Sequence, residues 1–186
     1  MPKKSRGCSR KNSRSGSFVN ESNDSSISRI LDAKTLVQLG HLALEWAAPE
    51  LFFPKPKLIF LRGEMGAGKT SFVTKVAEVV GSNEAVSPSF ALHTRYEGVR
   101  GTIDHFDLDR LNSIDDLESI GFWDLIAEAR DDANEAAKRF VMIEWAKRLD
   151  EFGAGTEGAA WTKGFRIWTF QFDGPPEWQI CMRRLA

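Results

Sequence analysis

The feature that most constrains this chain is a glycine-rich segment between an apolar run and an amphipathic stretch. The segment reads Gly63-Glu64-Met65-Gly66-Ala67-Gly68-Lys69-Thr70. It matches the pattern G-x-x-x-x-G-K-[ST] over its whole length. Residues 57–61 before it favour a buried strand, and the apolar side chains of residues 72–80 after it fall on one helical face that Gly81 terminates. The sequence therefore predicts a strand, a glycine loop and a helix, in that order.

The glycine loop has the composition that phosphate binding requires. Glycines allow backbone N–H groups to converge on phosphate oxygens, and a helix that begins near Lys69 directs its positive end at the same atoms. We expect Lys69 to reach the outer phosphate oxygens and the Thr70 hydroxyl to bind Mg²⁺. The predicted nucleotide-contacting residues of the loop and first helical turn are Glu64, Met65, Gly66, Ala67, Gly68, Lys69, Thr70 and Ser71.

A Mg²⁺–nucleotide site of this kind also needs an acidic residue beside the metal and the terminal phosphate. Glu144 follows the apolar run of residues 140–143, so we expect it at the carboxyl edge of a buried strand, where ligands bind in such sheets. Glu144 is the predicted Mg²⁺ ligand, directly or through water. The alternative is a surface acid that merely closes a strand.

A second acidic residue, Asp107, ends the strand predicted over residues 102–108. It has the chemistry to position the attacking water or to hold a magnesium-bound water. Asp104 and Asp109 are close in sequence, and the residues alone do not rank the three. His105 is typical of a structural hydrogen-bonding residue, and composition favours Trp145 as core filling over a position beside the site. The predicted catalytic residues are Lys69, Asp107 and Glu144.

The remaining pattern alternates strands and helices. A short strand over residues 27–31 precedes a helix for which Asp32 is the expected N-cap, and Ser113 with Asp116 predicts a capping box. Further expected elements are strands over residues 90–96, 165–172 and 178–182, and a helix from Phe122 to about Lys138. This alternation predicts an α/β fold: a mainly parallel sheet of the P-loop NTPase kind, flanked by helices, with antiparallel strands at the edge or C-terminus.

Charge divides the chain into two predicted parts. Six of the 25 basic residues precede the first acidic residue, Glu21, and the remainder carries 19 basic against 26 acidic residues. Residues 1–26 are rich in Ser, Lys and Arg and poor in apolar residues, so we predict a disordered basic arm before a domain over residues 27–186. A solubilising tail, an organelle transit peptide and an RNA-contacting arm all fit that arm. The acidic domain itself does not indicate a nucleic-acid-binding surface.

Cysteine usage and hydropathy argue against several kinds of site and several classes of protein. Cys8 and Cys181 form no C-x-x-C motif or Cys/His cluster, which argues against a zinc site or a disulfide framework and favours a reducing compartment. No apolar run is long enough to span a membrane, and the basic N-terminus lacks the apolar core of a secretory signal. We expect a cytoplasmic protein with no membrane contact, with organelle targeting by the basic arm left open.

Four further motifs accompany the loop in a fixed order. They are Ser87-Pro88-Ser89-Phe90, His105-Phe106-Asp107-Leu108-Asp109-Arg110-Leu111, the acidic stretch of residues 115–121, and Glu144-Trp145. Together with the loop, they resemble the TsaE (YjeE) family of P-loop ATPases that serve tRNA threonylcarbamoyladenosine synthesis. The resemblance covers about residues 31–145.

The resemblance implies an ATPase that binds ATP or ADP with Mg²⁺ and acts with a TsaB–TsaD-like heterodimer. That complex modifies adenosine 37 of tRNA, so tRNA would be reached indirectly through the complex. The resemblance also implies that Thr70 and Glu144 hold Mg²⁺, that Asp107 matters for hydrolysis, and that Ala33 borders the adenine.

The chain departs from the family pattern at three positions: Asp109 stands for a Tyr, Ala146 for a Pro and Ser89 for a Thr. Two other functions stay open on the sequence. One is a small-molecule kinase, although Arg130, Arg139 and Arg148 are scattered among acids and suggest no lid. The other is a nucleotide-gated interaction module with little turnover.

Overall fold

The computed structural model describes residues 28–32, 36–82, 91–131, 138–174 and 179–185. These residues form one seven-stranded sheet with the order β1-β7-β6-β2-β5-β4-β3. The strands are β1 (Ser28–Asp32), β2 (Lys57–Gly63), β3 (His93–Gly98), β4 (Gly101–Asp107), β5 (Arg139–Glu144), β6 (Arg166–Asp173) and β7 (Gln179–Leu185). The helices are α1 (Leu36–Glu50), α2 (Lys69–Val80), α3 (Ile114–Ser119), α4 (Phe122–Asp131) and α5 (Lys147–Glu151), with a short 3₁₀-helix at Ala160–Thr162.

The four central strands, β6, β2, β5 and β4, run parallel. The edges are antiparallel: β3 pairs with β4 on one side, and β7 pairs with β6 and β1 on the other. Parallel strands are covered on both faces, which explains why β2 and β5 are nearly continuous apolar runs. The predicted α/β class, with antiparallel strands at the C-terminus, is confirmed.

Alternate residues of the central strands feed two separate hydrophobic cores. In β5, Phe140 and Met142 pack with α1 and α2 on one face of the sheet. Val141 and Ile143 pack with α3, α4 and α5 on the opposite face. Because successive side chains of a strand point to opposite faces of the sheet, each polar residue of β4 and β5 belongs to one face or the other according to its position.

Several local predictions are confirmed. Gly81 terminates α2 in the left-handed conformation with φ 85°, and its N–H bonds back to the last turn. The Ser113 hydroxyl accepts a hydrogen bond from the Asp116 N–H, and the Asp116 carboxylate accepts one from the Ser113 N–H, which completes the capping box.

Other predictions need correction or fall outside the described residues. Asp32, the expected N-cap of the first helix, is the last residue of β1, where it pairs with Gln179. Residues 33–35, which separate it from the first described residue of α1, lie outside the described residues. The strand expected from residue 90 begins at His93. The motif at residues 87–90, Ala33, residues 1–26 and the last turns of the helix expected to reach Lys138 lie outside the described residues. Within the described part of the chain, no helix is long and apolar enough to cross a bilayer.

Candidate functional site

The glycine loop links the end of β2 to the start of α2 through backbone conformations that favour glycine. Gly66 and Gly68 have φ values of 76° and 95°, and Gly68 precedes the first residue of α2. Gly63 has φ 143°, and a Cβ atom there would overlap the carbonyl oxygen of Phe172 on the neighbouring strand. The loop thus packs tightly against β6 on one side, while no residue of the described ranges lies within 4 Å of a Cβ atom built on Gly66.

Lys69, the first residue of α2, is buried with its ammonium held inside the loop. Its Nζ donates hydrogen bonds to the carbonyl oxygens of Gly63, at 2.8 Å, and Glu64, at 2.9 Å. The same atom lies 4.4 Å from the centroid of the Trp145 ring, a cation–π contact. Burial lowers the pKa of Lys69, and the carboxylates of Glu144 and Asp107 offset part of that effect.

Two acidic residues face this loop from neighbouring parallel strands. Asp107 ends β4, Glu144 ends β5, and the two are register partners. Glu144 is buried, and its Oε1 lies 2.9 Å from Nε2 of His105. Burial raises the pKa of Asp107, and the charge of Glu144 adds to the increase, although the Asp109 N–H donates to the Asp107 carboxylate and opposes it.

These elements enclose a cavity of about 250 Å³ at the carboxyl edge of the parallel strands. Its lining residues are Met65, Gly66, Gly68, Lys69, Thr70, Ser71, Asp107, Asp109, Glu144 and Trp145. Three carboxylates and one ammonium face the same space. A polyphosphate would meet a net negative wall there unless a divalent cation accompanied it, because like charges at this range repel strongly.

The sequence similarity decides the family. A family model described as "Threonylcarbamoyl adenosine biosynthesis protein TsaE" matches residues 30–163, which is more than half of the chain. The chain belongs to the TsaE family.

Relatives named tRNA threonylcarbamoyladenosine biosynthesis protein TsaE agree with this assignment. The relative from Borreliella burgdorferi is 32% identical over 96 residues, covering 50% of this chain and 64% of that protein. The relative from Aquifex aeolicus is 41% identical over 68 residues, covering 35% of this chain and 51% of that protein. The relative from Synechocystis sp. is 38% identical over 101 residues, covering 53% of this chain and 59% of that protein. The chain therefore spans about half to just under two-thirds of the length of these three curated relatives.

A solved structure shares the fold. The crystal structure of YdiB from Bacillus subtilis superposes with a TM-score of 0.52 at 19% identity, covering 87% of this chain and 86% of that one. At this level of identity, the likeness extends to the arrangement of strands and helices.

Most of the residues predicted for the site in this TsaE-family chain lie together. Met65, Gly66, Gly68, Thr70 and Ser71 line the cavity with Lys69, Asp107 and Glu144. Glu64 contributes its carbonyl oxygen to Lys69, and Ala67 is buried with its N–H bonded to the Glu64 carbonyl. Ala33 lies outside the described residues.

The structure separates Asp104 from the two other acids of its motif. Asp104 is fully buried on the opposite face of β4, where it accepts hydrogen bonds from His93, Arg95 and Arg139 at 2.7–3.1 Å. Burial acts to raise the pKa of Asp104, but these hydrogen bonds and the charge of Arg139 hold it below its usual value. Asp104 is thus part of a structural ion-pair cluster, whereas Asp107 and Asp109 line the cavity.

The interpretation of Trp145 as a residue that only fills the core is wrong, because Trp145 also lines the cavity. Its side chain lines the cavity next to the Lys69 ammonium and also packs against the core formed with α3, α4 and α5. Its φ of 55° is the one positive value at a non-glycine residue among the described positions. Such a backbone costs about 1–3 kcal/mol, and strain of this kind clusters at functional sites. The Glu-Trp pair at the end of β5 was the available sequence signal.

The donor set suits a magnesium–nucleotide complex better than a metal bound by protein alone. Among the described residues, no group of three or more His, Cys, Asp or Glu side chains is arranged to hold a metal ion. Mg²⁺ commonly binds through one or two protein oxygens together with phosphates and waters. The Thr70 hydroxyl and the carboxylates of Glu144 and Asp107 beside the loop are oxygens of that kind.

Proposed function

We propose that this chain binds ATP with Mg²⁺ and hydrolyses it as a component of the machinery that makes N6-threonylcarbamoyladenosine at position 37 of tRNA. The observation that carries the proposal is the convergence of Lys69, Thr70, Asp107 and Glu144 on one cavity in a chain of the TsaE family. A glycine loop at a helix N-terminus supplies the phosphate-binding half of the cavity, and acidic residues supply the metal-binding half.

Each side chain has a distinct role in this proposal. Lys69 exchanges its bonds to the Gly63 and Glu64 carbonyls for phosphate oxygens, since the ammonium already lies at the loop. Thr70 and Glu144 hold Mg²⁺, Glu144 directly or through water. The ion, when bound, neutralises charge on the phosphate oxygens.

Asp107 is the proposed residue for the attacking water. It is half-buried at the cavity wall, next to Glu144 in register. Its carboxylate accepts one hydrogen bond from the Asp109 N–H, at 3.1 Å, which fixes its orientation. The elevated pKa of Asp107 makes it a better proton acceptor than an exposed aspartate, as suits a residue that orients water or holds a magnesium-bound water.

The role in tRNA modification comes from the family and the names of the relatives. We propose that a TsaB–TsaD-like heterodimer performs the transfer chemistry and that this chain contacts tRNA indirectly through that complex. ATP hydrolysis then resets the complex between turnovers. A cytoplasmic location accompanies this proposal.

The experiment is Mg²⁺-dependent ATP hydrolysis by the chain alone and with the heterodimer of the same organism, with Lys69→Met as the inactive control. Slow release of free phosphate that rises when the heterodimer is added supports the proposal. Phosphate transferred to a small acceptor would identify a kinase instead. Nucleotide binding with background hydrolysis alone and with the heterodimer would identify a gated interaction module.

A further inference from the structure

A buried chain of three side chains leads from the interior of the sheet to the candidate metal ligand. Tyr96 on β3, His105 on β4 and Glu144 on β5 come from three neighbouring strands. Nε2 of His105 lies 2.9 Å from Oε1 of Glu144, and Nδ1 lies 3.5 Å from the Tyr96 hydroxyl. The Tyr96 and His105 rings stack with centroids 6.1 Å apart.

The hydrogen-bonding capacity of each of these three side chains determines which atom donates and which accepts. An ionised carboxylate only accepts hydrogen bonds, so the proton of a neutral His105 ring is on Nε2. Nδ1 is then an acceptor, and the Tyr96 hydroxyl is the donor beside it. Burial and the charge of Glu144 raise the pKa of Tyr96, which keeps its hydroxyl protonated and able to donate.

We infer that His105 is a positioning residue that fixes the Glu144 carboxylate for Mg²⁺, with Tyr96 selecting its tautomer. This inference rests on the proposed magnesium–nucleotide site. His105 holds Oε1 of Glu144 by one hydrogen bond, which fixes the plane of the carboxylate and leaves the second oxygen available to a cation. His105 is fully buried and lines no part of the cavity, so it acts through Glu144 and not on the nucleotide.

The same hairpin supplies a matched control. His93 on β3 also bonds a buried carboxylate, that of Asp104, at 3.1 Å. Asp104 is neutralised by Arg95 and Arg139 on the opposite face of the sheet, away from the cavity. Replacing His93 therefore removes a histidine–carboxylate contact of the same kind without touching Glu144.

The test measures ADP binding by calorimetry, first in EDTA and then over a series of MgCl₂ concentrations. For His105→Leu we expect ADP affinity in EDTA within about twofold of wild type, because the loop and Lys69 are unchanged. The MgCl₂ concentration for half-maximal enhancement should rise by about 10-fold or more, the usual effect of losing such a supporting partner. His105→Gln should restore most of the Mg²⁺ response, because its amide N–H₂ reaches the position of Nε2.

A spectroscopic readout and a milder variant guard against general disruption. Bound Mn²⁺, observed by electron paramagnetic resonance in the presence of ADP, should lose occupancy in His105→Leu and keep it in His93→Leu. Tyr96→Phe retains the ring and loses the hydroxyl, so we expect a rise of about two- to fivefold in the MgCl₂ requirement. If His105→Leu does not fold, Tyr96→Phe and His105→Gln decide the question.

The outcomes separate this inference from the proposed function. Mg²⁺-dependent ADP binding by wild type, with the same MgCl₂ requirement in His105→Leu, would overturn the positioning role of His105 and leave the nucleotide site standing. The same MgCl₂ requirement in Tyr96→Phe would overturn the part of the inference that assigns the tautomer to Tyr96. An equal loss in His93→Leu would overturn the positioning role as well, because that loss would reflect general destabilisation. Wild type that binds no ADP at any MgCl₂ concentration would overturn the proposed nucleotide site together with this inference.

Discussion

Asp107 and Glu144, 37 positions apart in the sequence, are direct register partners at the ends of two neighbouring parallel strands. Both side chains face the glycine loop and line the same cavity. Their proximity contributes to the elevated pKa of Asp107 and gives the cavity its negative wall. A cation between them would relieve this repulsion, which links the acidic pair to the proposed Mg²⁺ requirement.

The first prediction separates Asp107 from Asp104. Asp107→Asn should lower ATP hydrolysis by about 100-fold or more, since the residue lines the cavity, while nucleotide affinity changes little. Asp104→Asn should instead reduce the free energy of unfolding by about 1.5–3 kcal/mol, because it removes the buried carboxylate that pairs with Arg139 alongside Glu128. Steady-state hydrolysis and chemical denaturation measure the two effects. Normal hydrolysis in Asp107→Asn together with lost hydrolysis in a folded Asp104→Asn would reverse the assignment.

The second prediction concerns the only ammonium that lines the cavity of the described site. Lys69→Met should weaken ADP binding by about 10- to 100-fold, the value of a charge-assisted hydrogen bond to phosphate. Lys75→Met, on the same helix but not part of the cavity lining, removes a partly exposed pair with Glu78 and should leave affinity unchanged. Fluorescence titration with a labelled ADP measures both variants. Equal affinities for the two variants would show that the loop lysine does not contact phosphate.

The third prediction tests the contact between Lys69 and Trp145 in the absence of nucleotide. The ammonium lies 4.4 Å from the ring centroid in a buried setting, so a cation–π interaction of about 0.5–2 kcal/mol is expected. A double-mutant cycle with Lys69→Met and Trp145→Leu, measured as the free energy of unfolding, should return a coupling energy in that range. The backbone strain at Trp145 is common to both sides of the cycle and cancels. The control is the cycle of Lys75→Met with Trp145→Leu, which should return a coupling energy of about zero. A coupling energy of zero in the Lys69–Trp145 cycle would contradict a stabilising contact between those two side chains.

The fourth prediction concerns Lys57, which is buried away from the site and donates to the Phe53 carbonyl at 2.7 Å. Burial lowers the pKa of Lys57 to about 8. Between pH 8 and the unfolded pKa near 10.5, the unfolded state therefore holds more protons than the folded state. The free energy of unfolding should rise with pH across that window, relative to Lys57→Met, by an amount of the order of 3 kcal/mol. Denaturation of both proteins at pH 7.5 and 10 measures the difference, and a flat or falling difference would contradict the assigned burial.

The loop and its two flanking elements were predictable because their signals are local. Glycines, a basic residue and a hydroxyl at fixed spacing follow an apolar strand and open an amphipathic helix. The meeting of Asp107 and Glu144 was predictable for a different reason, because ends of parallel strands lie at one edge of the sheet.

The remaining features depend on tertiary packing. Strand alternation separates Asp104 from Asp107, but only the packing of α2 determines which face of β4 meets the loop. Trp145 turns toward Lys69 through a left-handed backbone that hydropathy does not encode.

The measurement that tests the central claim most directly is the Mg²⁺ dependence of ATP hydrolysis by wild type and Glu144→Ala, with the heterodimer present. Glu151→Ala, which alters an exposed carboxylate of α5, is the matched control. We expect hydrolysis by wild type and Glu151→Ala to rise from background as MgCl₂ is added, while Glu144→Ala stays near background or requires far more MgCl₂. Equal hydrolysis by wild type in EDTA, or a Glu144→Ala curve that follows wild type, would contradict a magnesium–nucleotide site at Lys69, Asp107 and Glu144.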